Sequence, residues 1–364
     1  MESVRTLVID PGSFSWKVGF SDCTTPSVVN TIVSRDAATN ETVVGDYNLE
    51  GNANYKHFYP VESSIFTNWN EIETLLNHVF NEELKIDPAE LRMLFADSPV
   101  CGPKANREKL TEIMFEQYHV KEYSLLPHPT LSAIACNTST AMVFNCGESV
   151  NYAIPIYEGM PLYHAFTANY TAGRDLTNYL SRLISTKLNV TFPRHIVRKL
   201  KEFTFLPSER TISNNEATQK VTIDERTQIE LDSECLWSPE ILFDPRLVDP
   251  TSEDKGIANV LCESLAKCGE EKEFYSESII LTGGSTLVPG FVERLKNELQ
   301  ILMPGSNIKI QAPLERAFLS WAGGCKVASN PKFANVFVTP EDYEESGPSI
   351  YSRKCFLVVE EGNI

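Results

Sequence analysis

No run of residues here is long and apolar enough to span a bilayer, which excludes a membrane-spanning helix, and no membrane insertion is expected. No Cys-x-x-Cys occurs among the nine cysteines, whose number is odd and whose positions are scattered, so neither a zinc cluster nor a disulfide framework is expected. The six histidines fall at no ligand spacing. Basic residues are few, 32 Lys and Arg against 49 Asp and Glu, for a net charge of −17. Such a surface repels phosphate backbones, which argues against direct nucleic-acid binding and favours protein partners with basic segments. Met1-Glu-Ser-Val-Arg5 lacks the shape of a secretory leader. Together with reduced, scattered thiols this predicts an intracellular protein, cytoplasmic, with the nucleus as the alternative. No low-complexity linker divides the chain.

What is present is a core-forming composition and three glycine turns. A length of 364 residues with 42% apolar and 10% aromatic residues suits a globular protein of two or more domains. The turns read Thr6-Leu-Val-Ile-Asp10-Pro-Gly12-Ser13, Ala141-Met-Val-Phe-Asn145-Cys-Gly147-Glu148 and Ile279-Ile-Leu-Thr-Gly283-Gly284. Each ends a buried strand at a glycine, where backbone amides can turn toward a phosphate and a ligand can come close. Two such turns can grip a nucleotide's phosphates from opposite sides, and a Gly-Gly turn can sit against base or sugar. The spacing therefore predicts two similar lobes closing on one cleft.

The coarse reading places strands at Thr6–Asp10, Trp16–Ser21, Val28–Val33, Leu91–Ala96, Thr140–Phe144, Tyr152–Tyr157 and Ile279–Leu281. Helices are predicted at Asn68–Phe80, capped by Asn68 or Asn70, and at Pro103–Tyr118, Gly173–Leu188, His195–Phe203, Ile257–Ala266, Pro289–Leu302 and Arg316–Ser329. The polar stretch Ser208–Ser238 reads as a small peripheral sheet, and Ser34–Thr42 as a short loop or hairpin. Alternating strands and helices make a mixed α/β protein.

Along nearly the whole chain the sequence resembles actin and the actin-related proteins. The matching stretches are Thr67-Asn-Trp69, Pro103-Lys-Ala-Asn-Arg-Glu-Lys109, Pro155-Ile-Tyr-Glu-Gly159, Ala172-Gly-Arg-Asp-Leu-Thr177, Leu281-Thr-Gly-Gly284, Pro289-Gly290, Trp321-Ala-Gly-Gly324, Glu345-Ser-Gly-Pro-Ser-Ile350 and Arg353-Lys-Cys-Phe356. The resemblance implies an actin-like ATPase fold, α/β, with two similar lobes and four subdomains around a nucleotide cleft. It implies a first subdomain of residues 1–31, 60–135 and 319–364, and a second of 32–59. The third would be 136–171 with 250–318, and the fourth 172–249. ATP or ADP with Mg²⁺ would lie between the lobes.

By that resemblance, hydrolysis would call on four positions, occupied here by Asp10, His128, Asn145 and Tyr152. Only Asp10, which would also face the metal, is the family's residue; the other three stand for glutamine, aspartate and histidine. Asn145 carries no charge to draw a cation, and tyrosine has an unperturbed pKa of about 10, too high for acid–base work at neutral pH. The substitutions argue against ATPase activity. Nucleotide binding would rest on Gly12, Ser13, Lys17, Gly147 and Glu148 at the phosphates and ribose, and on Gly173, Lys201, Glu202, Gly283 and Gly284 toward the base. Phe14, Ser149, Val288 and Ala317 depart from the pattern. Weak or absent nucleotide binding is the expectation, with a bound nucleotide serving as glue between the lobes.

Assembly departs as well. Family actins insert a loop into the neighbouring protomer, and the Arg35–Thr42 connection is shorter than that loop by about nine residues. The receiving groove would be lined by Ile134, Ala135, Asn137, Ser139, Val327, Asn330 and Lys332, and is more polar than in the family. Residues 357–364 extend past the family's terminal phenylalanine. The expectation is a non-polymerising or filament-end structural subunit of a cytoskeletal assembly, bound to actin-family or scaffold subunits. The alternatives are a nuclear actin-related subunit of a chromatin-remodelling complex, and an ATP-binding filament former.

Overall fold

The computed structural model describes residues 5–100, 104–207, 218–222 and 228–356. In chain order its first strands are β1 (Thr6–Pro11), β2 (Ser15–Phe20), β3 (Ser27–Asn30), β4 (Val33–Asp36), β5 (Thr42–Val44), β6 (Tyr55–Phe58), β7 (Val61–Glu62), β8 (Ile65–Phe66), β9 (Arg92–Asp97) and β10 (Glu122–Pro127). There follow β11 (Ala141–Cys146), β12 (Asn151–Tyr157), β13 (Met160–Pro161), β14 (Thr167–Asn169), β15 (Gln219–Thr222), β16 (Gln228–Leu231), β17 (Ile279–Thr282) and β18 (Ile310–Gln311).

Two of the sheets share one connectivity. In the first, β1 pairs antiparallel with β2 and parallel with β9, β9 runs parallel to β10, and β2 pairs antiparallel with β3. In the second, β11 pairs antiparallel with β12 and parallel with β17, β17 runs parallel to β18, and β12 pairs antiparallel with β13 and β14. The central strands β1 and β11 are apolar for most of their length and are buried along it. Each then ends at a glycine turn, so the same topology delivers two similar turns.

Helix α1 (Trp69–His78) starts where the Asn68 side chain accepts the Glu71 N–H, and it buries Ile72, Leu75 and Leu76. It and α2 (Lys104–Glu112) each widen into a π-helical turn, at Val79–Leu84 and Ile113–Gln117. The expected helix start at Pro103 lies outside the described residues. Helix α3 (His128–Ala135) follows β10 directly and packs on the helix Leu319–Ser329. That pair joins the two sheets: Gly324 abuts Val8 of β1, while Leu319 belongs to the cluster around Val143 and Ile154. Helices α4 (Gly173–Leu188) and α5 (Arg194–Lys201) lie against each other beside the pair β15–β16.

Two expectations are corrected. The continuous strand over Val28–Val33 is broken at Thr31 and Ile32, because Thr31 Oγ1 donates to Gly12 O at 2.7 Å and the chain crosses to a separate sheet, β5–β4–β6. Pro289–Leu302 begins as a helix only at Phe291, since Gly290 takes φ +81° and its N-terminal neighbours turn. The peripheral sheet expected within Ser208–Ser238 exists as β15–β16; residues 208–217 and 223–227 lie outside the described set, as does the 357–364 extension. The eight described cysteines are free thiols. Among the described residues no helix is long and apolar enough to cross a membrane, and no three His, Cys, Asp or Glu gather as a metal site.

Candidate functional site

The glycine turns of both sheets face one cleft of about 680 Å³, a volume within the range that takes a small organic ligand. Asp10, Gly12, Ser13 and Lys17 line it from the first sheet. Asn145, Gly147, Glu148 and Tyr152 line it from the second, with Gly283 and Gly284 beside them. His128 contributes from the start of α3, and Lys201 and Glu202 from the end of α5. Gly173 alone stands behind the wall. Its N–H donates to Gly147 O at 3.0 Å, and a Cβ there would meet Ser285 Oγ at 2.7 Å and Glu148 Oε2 at 2.9 Å. It is small so that α4 can begin hard against the second turn. Gly283 has a similar need, with φ +93° and a would-be Cβ 2.3 Å from Cys146 O.

The two turns touch. Ser149 Oγ donates to Ser13 Oγ at 2.7 Å, although 136 residues separate them. Ser13 Oγ also accepts the Ser64 N–H at 3.3 Å. Ser64 sits with Ser63 in a turn where both take positive φ. Lys17 Nζ donates to Ser15 O at 3.1 Å and so lies beside the first turn. At the other end, half-buried Lys201 donates to Thr177 Oγ1 at 3.0 Å and stands 3.8 Å from Glu148. Burial lowers the Lys201 pKa, and Glu148 opposes that shift.

All four positions that the resemblance connects with hydrolysis line the cleft, and Asn145, Tyr152 and His128 adjoin one another in turn. Asn145 and Tyr152 face each other in the β11–β12 register. Tyr152 Oη lies 2.7 Å from His128 Nδ1. Desolvation lowers the His128 pKa, with Asp10 opposing and Lys17 reinforcing the shift. Burial raises the Tyr152 pKa well above its ordinary value, and the Asp10 charge adds to this. At neutral pH the phenol is therefore protonated and the imidazole neutral, so the two share a hydrogen bond between uncharged groups. Each group satisfies the other. The sequence does not show this partnership; nothing local marks a histidine and a tyrosine 24 residues apart as partners.

This pair predicts a pH signature. The unfolded chain takes up a proton on His128 near its ordinary value of 6.5, and the folded chain does so only at a lower pH. The stability contribution is thus fully present above that value and is lost as pH falls through the lowered one. Asp97, pushed by burial up to about 6 against the pull of Arg107 at 2.7 Å, titrates with the opposite sign. The expected result is a difference: chemical denaturation of His128→Gln between pH 7.5 and 5 shows a smaller acid-side loss than the unaltered chain. Parallel curves would contradict it.

Lys201 and Glu202 line the cleft together with Val288, Ala317 and Phe318. A phosphate entering between the turns must displace the Ser13–Ser149 hydrogen bond. For a divalent cation, Asp10 stands at a position where Asn145 brings no second charge.

The assembly features are also placed. The β4–β5 connection is a closed hairpin: Asp36 N–H donates to Glu41 O at 2.9 Å, and Asp36 Oδ1 accepts the Ala38 and Thr39 amides at 2.8 Å each. Ile134 and Val327, expected to line an open groove, are core residues at 1% exposure. The polar member that the sequence reading missed is Lys326, which donates to Ala135 O at 2.9 Å, Ile134 O at 3.2 Å and Asn137 Oδ1 at 2.5 Å. It satisfies carbonyls at the C-terminal end of α3, as a cation there should.

Compared with known families, the chain matches the family model described as Actin over residues 1–229 and 200–356.

Proposed function

The chain belongs to the actin family, and from that premise we propose that it is a divergent actin-related structural subunit, either non-polymerising or confined to a filament end. The observation that carries this reading is the hairpin at Ala37–Glu41. Its Asx turn and backbone bonds close it on itself, leaving no slack chain to reach into a neighbouring molecule. A protomer of this shape lacks the insertion by which family members bind end to end. The carbonyl-bound Lys326 adds a cation beside the site where such an insertion would be received, and stripping water from that cation is unfavourable unless an acid meets it.

Nucleotide binding on this reading is weak and structural. Lys201 and Glu202 would hold the base end, and the amides around Gly12 and Gly147 the phosphates. A nucleotide so held would bring its phosphates' negative charge and, with Mg²⁺, a neutralising cation. The protein's own residues would only orient it and bridge the two sheets. The partners are proteins, actin-family or scaffold subunits bearing basic segments that complement the net charge of −17. The setting is a cytoplasmic cytoskeletal assembly.

Sedimentation tests the assembly half. At tens of micromolar in salt and Mg-ATP, the purified chain is expected to stay in the supernatant. Filaments in the pellet, seen by electron microscopy, would refute the reading. Affinity purification then separates settings: cytoskeletal chains co-purify if the proposal holds, and remodeller scaffolds if the protein works in the nucleus.

A further inference from the structure

At the mouth of the cleft the small sheet β5–β4–β6 meets α5 through charges and rings. Glu50, 7% exposed, follows a short helical turn after β5. Its carboxylate is bonded by Arg198 and by the Tyr59 hydroxyl, and Arg194 Nε lies 3.6 Å away. The Arg198 guanidinium covers the Tyr47 ring at 3.9 Å from its centroid. That ring stacks on Phe14 of the first glycine turn, 5.0 Å between centroids and 11° from parallel, and the same guanidinium lies 5.3 Å from the Phe14 centroid. Tyr47 Oη donates to Phe14 O at 2.9 Å. Phe14 and Arg198 both line the cleft.

We infer that Glu50, Tyr47, Phe14 and Arg198 form a clasp that shuts the cleft mouth, so that passage in or out requires this cluster to part. Three parts of the chain meet in it: the first glycine turn, the small sheet and α5. Nothing else on α5 binds the small sheet with comparable strength among the described contacts. Arg194 Nε stands too far from Glu50 for a hydrogen bond, and Arg198 Nε is buried without a partner. A closure that leaves guanidinium donors unsatisfied is held less firmly than a packed core, which suits a contact that opens. Phe14 thereby acquires a role that its place in a glycine turn does not announce. Its φ is not positive, and its ring stacks on Tyr47 and together with it faces the Arg198 guanidinium.

The inference goes beyond the proposed role and stands whether or not a nucleotide binds, so its test uses the full chain without nucleotide. Amide hydrogen exchange is followed by mass spectrometry in the unaltered chain, Glu50→Gln and Arg198→Lys. Removing one partner of a buried ion pair should speed exchange in residues 44–58 and 194–202 by about tenfold in Glu50→Gln, with β11 unchanged. Arg198→Lys keeps the charge but loses the planar stack, and should give a smaller acceleration in the same two segments. Unchanged exchange in both variants would overturn the clasp. So would acceleration that spreads equally to β11, because the cluster would then be ordinary support for the fold.

Discussion

Gly323→Ala should lower the melting temperature of the chain by far more than any surface substitution does. Gly323 lies in the helix Leu319–Ser329 where it crosses α3, and a Cβ there would stand 1.8 Å from Leu131 O and 2.5 Å from its carbonyl carbon. Both atoms are backbone, so no rotamer change relieves the collision; the helices must separate. Overpacking commonly costs about 1–3 kcal/mol where side chains can yield. Here the interface that joins the two sheets must open, and about 4 kcal/mol or more is expected, a large share of the 5–15 kcal/mol by which a typical domain is stable. Gly284→Ala is the control. No atom lies within 4 Å of its would-be Cβ and its φ is not positive, so its stability should match the parent. Circular dichroism melts of the three proteins decide the matter, and a Gly323→Ala melt within a few degrees of the parent would show that the crossing is looser than it looks.

The second large effect concerns phosphate release. Incubated with Mg-ATP, the purified protein should release phosphate no faster than a protein-free control. A positioned general base contributes about 10²- to 10⁴-fold to a proton transfer. The two side chains best placed for that work, Tyr152 and His128, are committed to each other at 2.7 Å. A neutral Asn145 in turn removes a carboxylate that could hold charge near the phosphates. The double change Asn145→Asp with Tyr152→His is not expected to restore turnover while Phe14 persists, because Phe14 keeps the first turn stacked under Tyr47. A colorimetric phosphate assay is sufficient. Turnover by the unaltered chain at the rate of an ordinary actin would defeat the reading; recovery in the double variant would show that Phe14 is harmless to catalysis.

Much of the cleft was legible because its main parts are local. A strand of buried apolar residues that ends in a glycine turn is visible in a window of eight residues, and all three such windows face the cleft. Of the nucleotide-contact positions inferred from resemblance, Gly173 alone stands off the wall. It closes a helix start against a turn, which sequence spacing cannot distinguish from contact with a ligand. The groove was less legible. Ile134 and Val327 are apolar residues on helix faces, and nothing in the one-dimensional pattern says whether a face is covered by another helix or open to a partner. Lys326 was not singled out by the sequence, and its bond to three acceptors depends on where α3 happens to end.

From its residues alone this protein could be assigned its alternation of strands and helices, its family likeness, its acidic balance and the shortness of its β4–β5 connection. These properties follow from backbone periodicity, composition and counting, all of which act over a few residues. Only the tertiary structure decided that Ser13 meets Ser149, that Tyr152 satisfies His128, and that Phe14, Tyr47, Arg198 and Glu50 converge. Such partners lie tens to more than a hundred residues apart. Their meeting depends on how two sheets are set around one cleft, and a side chain's chemistry there is set by which neighbours replace its water.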